Sequence, residues 1–232
     1  MTSIMLTVKV VLLDLDGTVV KLKYRYIDAK AEVFNMLKLN GVPDYVLDSK
    51  LSLYENLERV KNYMESAGEA YRYEQILNIS LKIAEKYEFE AASNPELLEG
   101  AYEALMRLKN MKLKLAIITN NCFKATELIL SKLKIGKFFE LIVARDDVKA
   151  MKPSPEPIKY ALLKLNLREC EAVVVGDSTI DVKAALKAGV TSIGIASGVA
   201  TREVLREAGA NYVINGIREL PKLIEDISYG GL

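Results

Sequence analysis

Two carboxylates stand two residues apart in the stretch VVLLDLDGTVV, residues 10–20, where Asp14 and Asp16 close an apolar run and Gly17 and Thr18 follow. On an extended chain, residues i and i+2 share a face, so both acids can address one ligand as the strand ends. Such a pair suits covalent group transfer, in which one carboxylate attacks an electrophile and the other moves a proton. The chain contains no histidine. Proton transfer must therefore rest on carboxylate, lysine, tyrosine or cysteine, which excludes the Ser/His/Asp and Cys/His triads.

Three later stretches add to this inventory. IITNN carries Thr119, Asn120 and Asn121; KAMKPSPEPI carries Lys152; VVVGDSTIDV carries Asp177, Ser178 and Asp181. Four carboxylates gathered at one place repel one another unless a cation sits among them. With neither imidazole nor a thiolate pair on offer, that cation is a hard, oxygen-seeking one, and Mg²⁺ fits because it keeps positions open for water and substrate phosphate. The expected chemistry is attack on phosphorus. Asp14 is the nucleophile and Asp16 the acid/base, while Gly17 lets the backbone turn close to a phosphate. Thr18, Thr119 and Asn120 complete the phosphate-binding set, and Lys152 offsets the charge that builds in line. Each residue also has a plainer use. Thr119 or Asn120 could cap the helix after its strand, and Lys152 could be a solvated loop lysine. Asp177 and Asp181 could be an N-cap and a first-turn acid.

The elements that would position these residues are legible as alternating patterns. Short Val/Ile-rich runs at 8–15, 113–118, 141–144, 172–175, 191–195 and 212–214 are separated by amphipathic stretches, as in parallel strands joined by crossover helices. The expectation is an α/β fold: a doubly wound, Rossmann-like parallel sheet at residues 1–20 and 95–232, carrying a small inserted all-α cap domain at 21–94. In such a sheet ligands bind where strands end at their carboxyl edge, which is where three of the motifs fall, with KAMKPSPEPI between them. The insert has only two of the 13 glycines and eight of the 12 tyrosines, so it reads as a helical bundle with tyrosines in its core and rim. Asp28 is the expected N-cap of its first helix and Gly41 the stop. Leu53, Leu57, Val60 and Met64 mark one face of a second helix, and Ile76, Ile79, Ile83 and Tyr87 one face of a third. Ser154 is expected to cap a helix with Pro155 at its first position. Lys21, Lys23 and Arg25 form either an anion-binding lip or a solvated charged face. Cys122, beside the motif of Thr119, reads as a small filler rather than a reactive thiol.

Lys plus Arg number 32 against 31 for Asp plus Glu, so no global field recruits nucleic acid or an anionic membrane. The expected partner is a small phosphorylated metabolite, whether phosphoglycolate, a sugar phosphate or a nucleotide, with the chain a monomer or homodimer. Two cysteines without CxxC spacing build neither a disulfide framework nor a zinc site, which points to a reducing, cytoplasmic setting. The apolar opening is interrupted by Lys9 and Asp14 and reads as a strand rather than a leader. No apolar run reaches the ~18 residues of a membrane span.

Taken together and in this order, DLDGT, IITNN, MKPSP and GDSTID resemble the haloacid dehalogenase-like hydrolase superfamily, in its phosphatase branch. The resemblance covers the whole core. It implies Asp14 as nucleophile and Asp16 as acid/base, with Thr119 binding phosphate and Lys152 stabilising charge. It also implies Mg²⁺ on Asp14, on the backbone carbonyl of Asp16 and on Asp177, with Asp181 acting directly or through water. The insert lies where that family places a helical cap that closes over small substrates, and the pattern is similar to phosphoglycolate phosphatases and phosphoglucomutase-like members. A phosphomutase and a non-catalytic phosphate-binding module are the competing readings. Dehalogenation ranks lower because it needs no metal and no second acid.

Overall fold

The computed structural model describes residues 7–228; residues 1–6, where the apolar opening expected to be a strand begins, and 229–232 lie outside the described residues. The strands are β1 (Val10–Leu13), β2 (Val20–Lys21), β3 (Glu96–Leu97), β4 (Lys114–Ile118), β5 (Leu141–Val143), β6 (Ala172–Gly176), β7 (Thr191–Ile195) and β8 (Tyr212–Ile214). The helices are α1 (Tyr26–Leu39), α2 (Leu53–Ser66), α3 (Ala70–Ala92), α4 (Ala101–Asn110), α5 (Phe123–Lys132), α6 (Glu156–Leu165), α7 (Thr179–Ala188), α8 (Arg202–Glu207) and α9 (Leu220–Ser228). The chain separates into two compact units, one ending at Leu22 and resuming at Pro95, the other running from Lys23 to Asn94.

In the first unit six strands form one parallel sheet in the order β5-β4-β1-β6-β7-β8. Each of the six expected runs coincides with one of these strands, β6 running one residue further to Gly176. Every residue of β1 and β6 is buried, which is why these segments are Val-rich without polar alternation: a parallel sheet has helices on both faces. On one face Val10, Leu12, Ala116, Ile118, Ala172 and Val174 pack against Ile158, Ala161 and Leu162 of α6 and Ala184, Ala185 and Ala188 of α7. The opposite parity, Val11, Leu13, Leu115, Ile117, Val173 and Val175, is also fully buried.

Strand order decides where a ligand can sit. From β1 the chain adds β4 and β5 on one side, then crosses to add β6, β7 and β8 on the other. The carboxyl end of β1 is therefore the switch point of a doubly wound sheet, the place where ligands bind in this architecture. Leu13 is level with Ile117 on one side and Val175 on the other, so Asp14 emerges between Ile118 and Gly176. Its N–H still donates to the Val175 carbonyl at 2.8 Å.

The second unit is helical, with α1, α2 and α3 around a centre that includes Val33, Leu37, Leu53, Leu57, Val60, Met64, Ile76 and Ala84. The expected face of α2 is buried in full. Helix α2 starts on a reciprocal cap: Ser52 Oγ accepts the Glu55 N–H at 3.1 Å and Glu55 Oε2 accepts the Ser52 N–H at 2.9 Å. Two helix details differ from expectation. Helix α1 begins at Tyr26, and Asp28 lies in its first turn, paired with Arg25 at 2.7 Å, instead of serving as N-cap. On α3 the buried stripe is Ile76, Ser80, Ala84, Tyr87 and Ala91, so Ile79 and Ile83 flank the face they were expected to form. Gly41 does follow α1, with φ +85°. Arg25 pairs with Asp28 and, at 3.8 Å, with Glu90. Among the described residues no helix is long and apolar enough to cross a membrane.

Candidate active site

Asp14 follows β1, Thr119 and Asn120 follow β4, and Asp177 follows β6, so the three central strands deliver three motifs to one edge. The fourth arrives on an irregular segment. Lys152 is only 2 % exposed, and its Nζ donates to Asp14 Oδ1 at 2.7 Å and to Asp181 Oδ1 at 2.6 Å. It is a buried, doubly paired ammonium rather than a solvated loop lysine.

The acids are organised by backbone. Asp181 sits in the first turn of α7, where its Oδ2 accepts from the Ser178 N–H at 3.2 Å and the Ser178 hydroxyl at 2.5 Å. Ser178, not Asp177, occupies the N-cap position, which leaves Asp177 to the site. Asp177 Oδ2 accepts the Val199 N–H at 2.7 Å, and the Asp177 carbonyl accepts the Ala200 N–H at 3.0 Å. Two glycines make this close approach possible. A Cβ on Gly17, whose φ is +77°, would lie 2.1 Å from Asp177 Oδ2, and one on Gly198 would lie 2.0 Å from the same atom.

Asp16 belongs to a tight turn in which the Gly17 N–H donates to Val20 O at 2.8 Å and the Leu22 N–H to Asp16 Oδ1 at 3.0 Å. Its carboxylate stands outside the acid cluster of Asp14, Asp177 and Asp181. Thr18 is wholly buried, and its hydroxyl finds no partner among the described residues. Thr119 is anchored by its N–H to Val143 O at 2.9 Å, and its Oγ1 accepts the Asn121 N–H at 3.2 Å. Helix α5 is capped by Cys122 and not by Thr119 or Asn120, so both stay with the site. The Asn120 side chain is engaged on the main chain of Lys152 rather than left open as a phosphate contact. Pro155, not Ser154, occupies the N-cap position of α6; Ser154 Oγ accepts from Glu156 N–H at 3.2 Å.

Charge within this cluster is unbalanced. Burial pushes the Asp14 carboxyl well above its ordinary value, and the neighbouring Asp181 and Asp177 add to the rise against the pull of Lys152. Burial together with Asp181 takes Asp177 up to about 7, and burial takes Asp16 up to about 6. Burial acts to lower Lys152, but the carboxylates of Asp14 and Asp181 outweigh it and hold the ammonium above its usual range. Asp14, Asp177 and Asp181 each bring one oxygen to within 4.8 Å of the others. One ammonium faces three carboxylates, and Asp14 Oδ2 and Asp177 Oδ1 accept no hydrogen bond among the described residues. An all-oxygen donor set with surplus negative charge fits a hard divalent cation such as Mg²⁺.

The family model for haloacid dehalogenase-like hydrolases matches residues 11–195, a span that contains all four motifs. The chain belongs to the haloacid dehalogenase-like hydrolase family. Among relatives of this hydrolase, a pyrophosphatase PpaX from Halalkalibacterium halodurans is 32% identical over 130 residues, 56% of this chain. That match spans 59% of the relative's length. A phosphoglycolate phosphatase from Pseudomonas savastanoi pv. phaseolicola is 29% identical over 220 residues, 91% of this chain and 78% of the relative. The crystal structure of a predicted phosphatase from Clostridium acetobutylicum shares the fold with a TM-score of 0.70 at 25% identity, over 94% of this chain and 99% of that one. The resemblance read from the motifs and the α/β class read from the runs are both borne out.

Sequence reasoning missed the loop after β7. Gly198 and Val199 offer only backbone to Asp177, and a search for reactive side chains passes over them. The available signal was a glycine just beyond a strand's carboxyl end, where another group approaches closely. Arg145, only 5 % exposed, was missed as well; its Nη1 donates to the Asn120 carbonyl at 3.4 Å.

Proposed function

We propose that this hydrolase is a Mg²⁺-dependent phosphatase that removes the phosphoryl group from small phosphomonoesters through an aspartyl-phosphate on Asp14. The observation that carries the reading is the single ammonium of Lys152 shared between Asp14 and Asp181 at 2.7 and 2.6 Å, at the carboxyl end of the central strand. Asp14 Oδ2 lies free of hydrogen bonds among the described residues and is the attacking atom. As its bond to phosphorus forms, the bond from phosphorus to the ester oxygen breaks, and Asp16 gives its proton to that oxygen. A carboxyl raised to about 6 still carries a proton in part of the population near neutrality, as a general acid requires. Water then attacks phosphorus and yields a proton to Asp16; the bond to Asp14 breaks, and both carboxylates return to their starting states. Thr119 and the backbone N–H groups after β1 and β4 orient the phosphoryl oxygens, with Lys152 balancing their charge.

Asp14, the carbonyl of Asp16 and Asp177 would hold the cation. Asp181, whose two oxygens already accept from Lys152 and Ser178, would act through water. The bound ion would supply neutralisation of phosphoryl charge. Two cysteines without CxxC spacing suit a reducing, cytoplasmic setting. The substrate class follows from names in two relatives, phosphoglycolate phosphatase and pyrophosphatase: a phosphoryl group on a small anionic leaving group. Hydrolysis of an aryl phosphate with Mg²⁺ and with chelator, followed by phosphoglycolate, pyrophosphate and sugar phosphates, tests this. Turnover that ignores the metal contradicts the proposal, and phosphate kept on an organic product would make the enzyme a mutase.

A further inference from the structure

Lys152 must keep its ammonium between two carboxylates, yet it lies in no helix or strand, and the next residue, Pro153, has no N–H to donate. Both polar groups of its main chain meet one side chain. Asn120 Oδ1 accepts the Lys152 N–H at 3.1 Å, and Asn120 Nδ2 donates to the Lys152 carbonyl at 2.9 Å, across 32 residues of sequence. A primary amide can do this because it presents one acceptor and two donors side by side. Asn120 is itself fixed: it follows Thr119, which is tied to β5 through Val143 O, and its carbonyl accepts from the buried Arg145. The helical unit uses the same device, where buried Asn56 accepts the Asp48 N–H at 2.7 Å and donates to the Asp48 carbonyl at 2.9 Å.

We infer that Asn120 is the positioning residue for Lys152: its amide clamps the lysine's main chain so that Nζ reaches Asp14 and Asp181 together, and it acts on phosphate only through that lysine. The kinetic consequence rests on the phosphatase reading; the positioning does not. A direct phosphate contact would make Asn120 and Lys152 independent, whereas a clamp makes the effect of Asn120 vanish once Lys152 is gone.

Two readouts test it. The ammonium protons of Lys152, buried and doubly paired, exchange slowly enough to give a lysine side-chain signal in nitrogen-15 spectra, assigned by its loss in Lys152→Arg. Asn120→Ala should broaden or abolish that signal while far-ultraviolet dichroism stays unchanged. If Asn120→Ala fails to fold, Asn120→Asp, of equal size and still able to accept the Lys152 N–H, replaces it with the same expectation. In turnover, Asn120→Ala should lower kcat by about 10- to 100-fold, the range found for groups that orient metal ligands. In a Lys152→Ala background the further loss should stay below about threefold. An unaltered ammonium signal, or equal losses in both backgrounds, overturns the inference. Absence of any Mg²⁺-dependent turnover in the wild type would defeat the phosphatase reading and leave the ammonium test standing.

Discussion

Two charge clusters at opposite edges of the same sheet behave in opposite ways. Where β6 begins, Glu171 meets Lys9 at 2.6 Å, Arg168 Nε at 3.4 Å and the Arg168 N–H at 2.9 Å. These donors hold its carboxyl down at about 2. Where β6 ends, Asp177 lies among Asp14, Asp181 and Lys152, and its carboxyl is driven up to about 7. A single strand thus joins a compensated acid to an uncompensated one. The first arrangement ties the chain together. The second retains a surplus of negative charge that no group among the described residues balances, as perturbed carboxyls at functional sites do.

The largest effect is expected at Asp14. Asp14→Asn should lower turnover of an aryl phosphate by at least about a thousandfold, in line with losses on removing a covalent nucleophile. Its melting temperature should equal or exceed that of the wild type, because a repelling buried charge has gone. Calorimetry alongside the assay checks both. Next in size is Gly198→Ala, whose new Cβ would fall 2.0 Å from Asp177 Oδ2. Displacing that acid should cost about 10- to 100-fold in activity or metal affinity, measured as the Mg²⁺ concentration for half-maximal rate.

Smaller effects sharpen the contrast. Saturating Mg²⁺ should raise the melting temperature by a few degrees, since about 2.7 kcal/mol accompanies a ligand at 100 times its Kd; the rise should shrink in Asp177→Asn. The pH slopes in metal-free protein run in opposite directions. A Glu171 carboxyl lowered from 4.5 to about 2 adds stability above pH 4.5 that is lost as pH falls toward 2. Glu171→Gln should therefore be less stable than wild type at pH 7, with the gap closing in acid. An Asp177 carboxyl raised from 3.8 to about 7 favours the fold below pH 3.8, and that contribution is lost as pH rises through about 7. Asp177→Asn should gain stability at pH 8, with the gain disappearing toward pH 4. Denaturant midpoints across pH decide both.

Much of this was legible in the sequence because the signals were local. A parallel strand buried on both faces must be a short Val/Ile run, and the acids that close such runs must lie at the carboxyl edge. What was not legible depends on partners distant in sequence. Asp28 has the composition of an N-cap but pairs with Arg25. Asn120 resembles a phosphate ligand until Lys152 is folded against it. Ser178 takes the cap and releases Asp177, an exchange that type and spacing leave open. Gly198 carries no side chain, so its part at Asp177 shows only when two loops meet.

The central claim is that Asp14 becomes phosphorylated during turnover, and mass spectrometry after rapid acid quench tests it most directly. The account predicts a peptide containing Asp14 that gains the mass of one phosphoryl group within a turnover and loses it on mild alkaline treatment. No such peptide while product forms, or the added mass on any other residue, would contradict it.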